Sequence, residues 1–328
     1  MSDADPGWVR HTLPSGGINL AVFAAGTDSI PAATSPDHDP RAVVIFVHGW
    51  PDTHTVWNPV AARLRDEFRV FAYDTRGLGD SDRPREVSAY RIRTLADDLY
   101  AVTQAVSPGV PVHVVAHDWG SIQSWEAVSR GDASDHIASF TTISGPSLDH
   151  ASAWLRHNFT HPTPRNLRST LVQLISSTYI VLFHLPVLPW LFLTILGSPK
   201  IWRGFLRIMD GTPGDQVITA PTLRRDMISG IRYYRANIVP KLRHPDLRTT
   251  DVPVLQLINT RDFAVRPQSV SATNHYVSKL WRRESATGHW LPTTHPAYVA
   301  ENIRDFVNQI ATDGESSSTT GARDAFTC

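Results

Sequence analysis

Cysteine is nearly absent from this chain: its one thiol, Cys328, is the last of 328 residues and closes a Ser/Thr/Gly-rich tail. A disulfide framework and a cysteine-based metal site are thereby excluded, and a reducing compartment is the default. Charge imbalance is absent too. Lys+Arg and Asp+Glu both total 31 and charged residues make up 19% of the chain, so no broad basic field offers itself to nucleic acid or anionic lipid. Residues 1–10 are acidic and lack a basic segment followed by an apolar run, which argues against a secretory signal and for a cytosolic protein. A glycine-rich nucleotide loop is missing as well: the stretch after residue 74 has only Gly77 and Gly79, not G-x-G-x-x-G opening a helix. Partners are to be sought in a pocket.

What is present is apolar and periodic. With 41% hydrophobic residues, the chain can bury a large core, which suits one α/β domain carrying an inserted subdomain. Apolar stretches 8–13 and 18–24 flank Pro14-Ser15-Gly16-Gly17 and predict an antiparallel hairpin. After a polar, Pro-rich loop to residue 40, the β-branched run 42–47 lacks alternation, as a strand buried on both faces of a parallel sheet requires. Helical pattern at 55–65, 89–106 and 121–130 then alternates with strand pattern at 69–73, 112–116 and 137–143. This predicts a mostly parallel, eight-stranded sheet flanked by helices, with a core domain of 8–146 and 249–311.

From 147 to 248 the strands stop and the chain reads as a helical cap, before 252–259 and 279–283 restore the sheet. Residues 171–196 are apolar enough to raise a membrane span, but His184, Pro186 and Pro189 interrupt them and a span needs roughly 20 predominantly apolar residues. Cap helices over an apolar pocket are the better reading, with a peripheral membrane contact left open. The segment 312–328 has low hydrophobicity and is expected to be disordered. No internal repeat is found.

Val112-His113-Val114-Val115-Ala116 runs into His117-Asp118-Trp119-Gly120 and a helix, placing Asp118 at a sharp strand-to-helix turn between small residues. Such a turn exposes its middle side chain, as in the G-x-S-x-G elbow. Here a carboxylate replaces serine. It attacks sp³ carbon and gives an alkyl ester that water then splits, which disfavours esterase and lipase chemistry. Taken alone, Asp118 could equally be a helix N-cap. Two further segments weigh against that. The loop His48-Gly49-Trp50-Pro51-Asp52 follows a strand and can aim a backbone N–H into the site, so the N–H groups of Trp50 and Trp119 are the expected oxyanion donors. Asp262 ends the strand Leu255–Asn259 region, and His289 follows in Ala286-Thr287-Gly288-His289-Trp290, giving the chain order nucleophile, acid, histidine. His289 would activate water while Asp262 holds its tautomer. A metal site is the competing reading, since His113 and His117 lie four apart on a strand with His48 one strand away; no matching carboxylate spacing accompanies them.

Together, His48-Gly49-Trp50-Pro51, Asp74 to Ser81, His117-Asp118-Trp119-Gly120, Asp262 and Gly288-His289-Trp290 resemble the α/β-hydrolase-fold epoxide hydrolases, over about residues 9–310. Ser144-Gly145-Pro146-Ser147 with Asp149-His150, and Leu280-Trp281-Arg282-Arg283, resemble most the hydrolase domain of the mycobacterial epoxide hydrolase D type. Those relatives carry a short-chain-dehydrogenase-like domain after the hydrolase, so a natural single domain and a piece of a longer protein both stay open. The resemblance implies two cap tyrosines over the nucleophile that bind and protonate the epoxide oxygen. Tyr179, with Phe183 four on and Pro186 seven on, matches one; Tyr234, in Tyr233-Tyr234-Arg235-Ala236-Asn237, matches the other, with Tyr233 the alternative. The implied reaction converts a hydrophobic epoxide to a vicinal diol with no cofactor and no metal, in lipid metabolism or detoxification. Trp119, Leu182, Phe183 and Trp290 are the expected pocket residues, with Leu188, Trp190, Leu191 and Phe192 adding to its apolar surroundings. A dehalogenase using the same Asp and a ligand-binding member of the fold without turnover remain alternatives, and a homodimer is left open.

Overall fold

A computed structural model describes residues 5–28, 30 and 39–323. Part of the Pro-rich loop before residue 40 and Cys328 lie outside the described residues. The elements run β1 (Val9–Ser15), β2 (Ile18–Ala24), β3 (Val43–Val47), α1 (Asn58–Leu64), β4 (Arg69–Tyr73), α2 (Ile92–Val106), β5 (Val112–His117), α3 (Trp119–Val128), α4 (Ala133–His136) and β6 (Ile137–Ile143). Six helices follow: α5 (Leu148–Thr160), α6 (Pro164–Ser176), α7 (Thr178–His184), α8 (Leu188–Leu196), α9 (Pro199–Met209) and α10 (Leu223–Arg243). The sheet then resumes with β7 (Val254–Asn259) and β8 (Leu280–Ser285), and α11 (Leu291–Thr294) and α12 (Pro296–Arg323) end the chain. Helical backbone through Arg323 stands where disorder was expected from residue 312 onward; residues 324–328 lie outside the described residues.

The strands form one sheet of eight in the order β1-β2-β4-β3-β5-β6-β7-β8. β1 and β2 are antiparallel to each other, β2 is antiparallel to β4, and β3 to β8 are mutually parallel. The turn joining β1 and β2 is tighter than the four residues expected, because Ser15 already pairs with Ile18. Gly16 and Gly17 alone make it, at φ +52° and +80°, the left-handed pair that a two-residue hairpin turn demands.

Alternation along the central strands divides the core into two layers. Val44, Phe46, Val70, Ala72, Val115 and Leu257 face α1, α12 and the helical insertion. Val43, Ile45, Phe71, Val114, Ala116 and Val254 face the other way, onto α2 and α3. Every β3, β4, β5 and β7 residue is buried, which accounts for their unalternating apolar sequence.

The insertion is stapled to the sheet domain by α10. Lys241 donates to Asp149 Oδ2 (2.6 Å) and to Glu126 Oε2 of α3 (3.1 Å), and Arg248 donates to Glu126 Oε1 (2.6 Å). Nearer the middle of α10, a Cβ on Gly230 would lie 1.8 Å from Trp50 Cδ1, so this helix face carries no side chain where it crosses the Trp50 ring. Gly204 in α9 meets nothing within 4 Å. Gly230→Ala is therefore expected to cost about 1–3 kcal/mol by forcing α10 off Trp50. Gly204→Ala is expected to gain up to about 1 kcal/mol from helix propensity. Thermal melts of the two variants against the parent check both signs.

Candidate active site

Asp118 sits between the last residue of β5 and the first turn of α3 at φ +51°, ψ −125°. A positive φ is uncommon for a residue with a Cβ and persists only where its surroundings hold it. Here three glycines let those surroundings close in. A Cβ on Gly49 would come within 2.3 Å of Asp118 Oδ1, one on Gly120 within 2.3 Å of Val47 O, and one on Gly145 within 2.3 Å of Asp118 O. The loops after β3, β5 and β6 thus meet at a single carboxylate.

The loop after β3 is held by the segment after β4. His48 donates through Nδ1 to Gly49 O (2.8 Å) and accepts at Nε2 from the N–H of Thr75 (3.0 Å), a pattern that requires a neutral ring. Burial pushes the His48 imidazole pKa down accordingly. Asp74 Oδ1 accepts from the backbone N–H and the ring Nδ1 of His54 (both 2.8 Å), and its Oδ2 accepts from Asp80 N (2.8 Å). So braced, the loop delivers the N–H of Trp50 to Asp118 Oδ1 at 2.8 Å. Trp119, whose N–H was the other expected donor, follows Asp118 directly; its ring lies edge-on to Tyr234 (4.8 Å) and stacks on Tyr233 (5.4 Å).

On the other side of Asp118 stands His289. Its Nε2 is 3.5 Å from Asp118 Oδ2, and its Nδ1 donates to Asp262 Oδ2 at 2.9 Å. Asp262 Oδ1 accepts from the N–H groups of Ala264 (2.8 Å) and Val265 (2.9 Å), which fix the carboxylate behind the ring. The three residues expected to act together are therefore brought together, with Asp118 13% exposed and His289 and Asp262 buried.

Tyr179 of α7 and Tyr234 of α10 cover this group from the insertion. Their rings are 5.9 Å apart, edge to face, and Phe183 lies against both. Burial holds both phenols protonated well above the ordinary tyrosine range; the nearby Asp118 carboxylate adds to this, and the two hydroxyls interact with each other. Tyr233 is otherwise engaged: its hydroxyl donates to Thr75 Oγ1 (3.0 Å) and Arg76 O (2.5 Å). Of the two adjacent tyrosines, Tyr234 faces the carboxylate and Tyr233 supports the loop beneath it.

A family model described as the alpha/beta hydrolase fold matches residues 42–166. This is an α/β-hydrolase fold. The chain is 37% identical over 298 residues to a Mycobacterium tuberculosis protein named Probable oxidoreductase EphD, covering 89% of this chain and 48% of that protein. It thus spans about half the length of that relative. It is 27% identical over 318 residues to Epoxide hydrolase 3 of Xenopus tropicalis, covering 92% of this chain and 78% of that one. Among solved structures it resembles a Bacillus megaterium epoxide hydrolase crystallised with an inhibitor, at TM-score 0.66 and 20% identity over 91% of this chain and all (100%) of that one. It also resembles an epoxide hydrolase from hot-environment metagenomes, at TM-score 0.69 and 23% identity over 92% and 98%.

Around this α/β-hydrolase centre lie residues that spacing could not reveal. Asp210, at the end of α9, accepts from the backbone N–H of His289, and its Oδ2 accepts from Trp290 N (3.4 Å) and Thr212 Oγ1 (2.5 Å). A Cβ on Gly288 would be 2.3 Å from Asp210 Oδ1, which is why glycine precedes His289. Asp52 accepts from the Trp290 indole N–H (2.9 Å), and the Trp290 ring lies 4.7 Å from that of His289. Burial, with Asp118 nearby, pushes Asp52 up to about 7. Phe183 is buried against Trp50 (5.4 Å) and Tyr234 (4.9 Å), whereas Leu182 is only packed at the margin of the core.

The histidines weighed as metal ligands have protein partners instead. His113 pairs with Ser139 Oγ (2.7 Å), and His117 donates through Nε2 to His289 O (3.0 Å). Burial lowers each ring to about 4, so both are neutral. Among the described residues no three His, Cys, Asp or Glu are grouped to hold a metal ion.

Burial works against a charged His289, yet Asp262 and Asp118 outweigh it and hold the imidazolium well above its ordinary range. A raised folded-state pKa contributes stability that is full below the free imidazole value of about 6.5 and is lost as pH rises through the folded value. Asp118→Asn removes one of the two carboxylates. Its His289 is expected to titrate at lower pH in a ring-proton NMR titration, and the alkaline loss of stability is expected to begin earlier.

Proposed function

We propose that this chain is an epoxide hydrolase, acting on a hydrophobic, lipid-derived epoxide through an ester on Asp118. The observation that carries this reading is the pair of protonated phenols, Tyr179 and Tyr234, held opposite the Asp118–His289 pair. A carboxylate nucleophile alone would serve a dehalogenase equally well, but a departing halide needs no proton, whereas an opening epoxide does. The names of the similar proteins, Epoxide hydrolase 3 among them, support the same reading.

The geometry divides the work between the two carboxylate oxygens. Oδ1 accepts from Trp50 N, so Oδ2 is left to attack the epoxide carbon. The carbon–oxygen bond breaks and the oxygen takes a proton from one of the phenols. Esterification removes one of the charges that hold the proton on His289, and that proton returns to the phenolate. Neutral His289 can then take a proton from water, which attacks the ester carbon while Oδ1 becomes an oxyanion facing the Trp50 and Trp119 N–H groups. Collapse breaks the bond between the ester carbon and Oδ2; that oxygen takes up the hydroxyl proton left on the carboxyl group and leaves in the diol, so that Asp118 is again a carboxylate and His289 again an imidazolium. Asp262 keeps Nε2 of His289 turned toward the ester throughout. Apolar surroundings, with Phe183, Trp50 and Trp119 about the phenols, support a hydrophobic substrate, and contact of the cap with a lipid surface is proposed beside it on separate observations.

Diol formation from a panel of hydrophobic epoxides is the test. Asp118→Asn is expected to abolish turnover, and His289→Gln to leave an alkyl ester visible as added mass on the intact protein. Tyr179→Phe and Tyr234→Phe are each expected to slow ester formation by about 10²-fold or more. A single turnover in heavy-oxygen water should label Asp118 and not the diol; label in the diol, or halide release from haloalkanes without epoxide turnover, would overturn the proposal.

A further inference from the structure

We infer that the outer face of the cap, formed by α6 to α9, docks on an anionic lipid surface. That the lipid is the source of substrate rests on the epoxide chemistry proposed above; the docking itself does not.

Two independent observations place it there. Among the described residues, 23 large hydrophobic side chains are exposed, and 17 of them fall between residues 159 and 209. They include Ile175 of α6 (61% exposed), Val181 of α7 (69%), Val187 before α8 (62%), Trp190 and Ile195 of α8 (52% and 63%) and Ile208 of α9 (83%). Helix α8 has no charged residue at all, and its one polar side chain, Thr194, spends its hydroxyl on Trp190 O (2.7 Å). Apolar exposure this concentrated in four successive helices marks an interaction site.

The second observation is charge. The balance of 31 against 31 over the whole chain conceals a segregated cap. Residues 151–209 hold no Asp or Glu and six basic residues, Arg156, Arg165, Arg168, Lys200, Arg203 and Arg207, all exposed. The two acids that bound the segment are turned inward: Asp149 accepts from Lys241 and Asp210 from the N–H of His289. Apolar side chains interleaved with unbalanced basic ones match the boundary of an anionic bilayer, where each basic residue gains near the headgroups and Trp favours the interface.

The face lies on a membrane and does not cross it. No single described helix is long and apolar enough to span, and α7 and α8, which reach that length and apolarity only together, are bent by 117° where they join. A second copy of this chain is a poorer occupant, because a two-fold interface would set the same six positive charges against themselves.

Sedimentation of the full chain with vesicles of phosphatidylcholine alone, and of phosphatidylcholine with phosphatidylglycerol, tests this. The protein is expected to pellet with the mixed vesicles only, and less as salt is raised. Arg165→Glu/Arg168→Glu and Val187→Asp/Ile195→Asp are each expected to cut that partitioning at least about tenfold. Unchanged thermal melts and unchanged turnover of a soluble epoxide would show that these variants are folded. Failure to pellet with either vesicle, or equal binding to phosphatidylcholine alone, would overturn the inference. So would a dimer in solution that both double variants convert to monomer. If the parent binds the mixed vesicles yet opens no epoxide, the docking stands and the epoxide reading falls.

Discussion

A carboxylate that is almost removed from water must be met by donors, and the centre of this molecule is organised around that requirement. Asp118 keeps 13% of its side chain exposed, and its two oxygens are divided between a backbone N–H at 2.8 Å and an imidazolium at 3.5 Å. An unpaired buried carboxylate would cost several kcal/mol. Its partners therefore have to arrive from different parts of the chain, and they do so at the carboxyl ends of parallel strands. β3 contributes Trp50, β5 the elbow itself, β7 Asp262 and β8 His289. Glycines at 49, 120 and 145 are required because the Asp118 side chain, at Gly49, and neighbouring backbone, at Gly120 and Gly145, approach more closely than any Cβ would allow.

The cap is part of the same arrangement. Trp50, whose N–H meets Asp118, donates its indole N–H to the carbonyls of Asp226 and Met227 in α10 (both 3.1 Å). About two turns further on, Tyr234 faces the carboxylate, and Arg235 donates to the carbonyls of Phe183 (2.8 Å) and Leu185 (2.7 Å) at the end of α7. Asn237 ties the same helix to Ile92 N (2.7 Å) and Tyr90 O (2.8 Å). One helix thus fixes the oxyanion loop, its own phenol and the helix that bears the other phenol. Asp210 does the same for the histidine loop from α9. Movement of the cap and competence of the site are mechanically coupled.

How much of this was legible in the sequence follows from the range of the forces involved. Buried parallel strands declare themselves by unalternating β-branched runs, and the elbow by small residues around Asp118, because each is a local constraint on backbone or burial. The juxtaposition of Asp262 with His289 rests on chain order in a known topology, so it too could be anticipated. Tyr233 and Tyr234 could not be separated, since both are buried and adjacent; only the 2.5–3.0 Å bonds from Tyr233 to Thr75 and Arg76 distinguish them. Asp210 was invisible because its partner is a backbone N–H nearly 80 positions away. Helical backbone at 312–323 cannot be read from its polar composition, because a helix continued from a packed beginning does not need an apolar face.

Overall charge misled in a different way. A balanced total is informative only if the charges are mixed, and here the sheet domain and the cap are not alike. Cap helices that merely roofed a pocket would bury one apolar face and present a polar one, as α10 does with its arginines. Helices α7 and α8 instead have apolar residues on both sides: Phe183, Leu193 and Leu196 inward, Val181, Trp190 and Ile195 outward. The inner set is accounted for by packing in the core, with Phe183 against both phenols. Among the described residues no packing accounts for the outer set, whose solvation is unfavourable by about 25 cal/mol for each Å² left in water. A lipid boundary is the environment in which the same residues, and the uncompensated arginines beside them, lower the free energy.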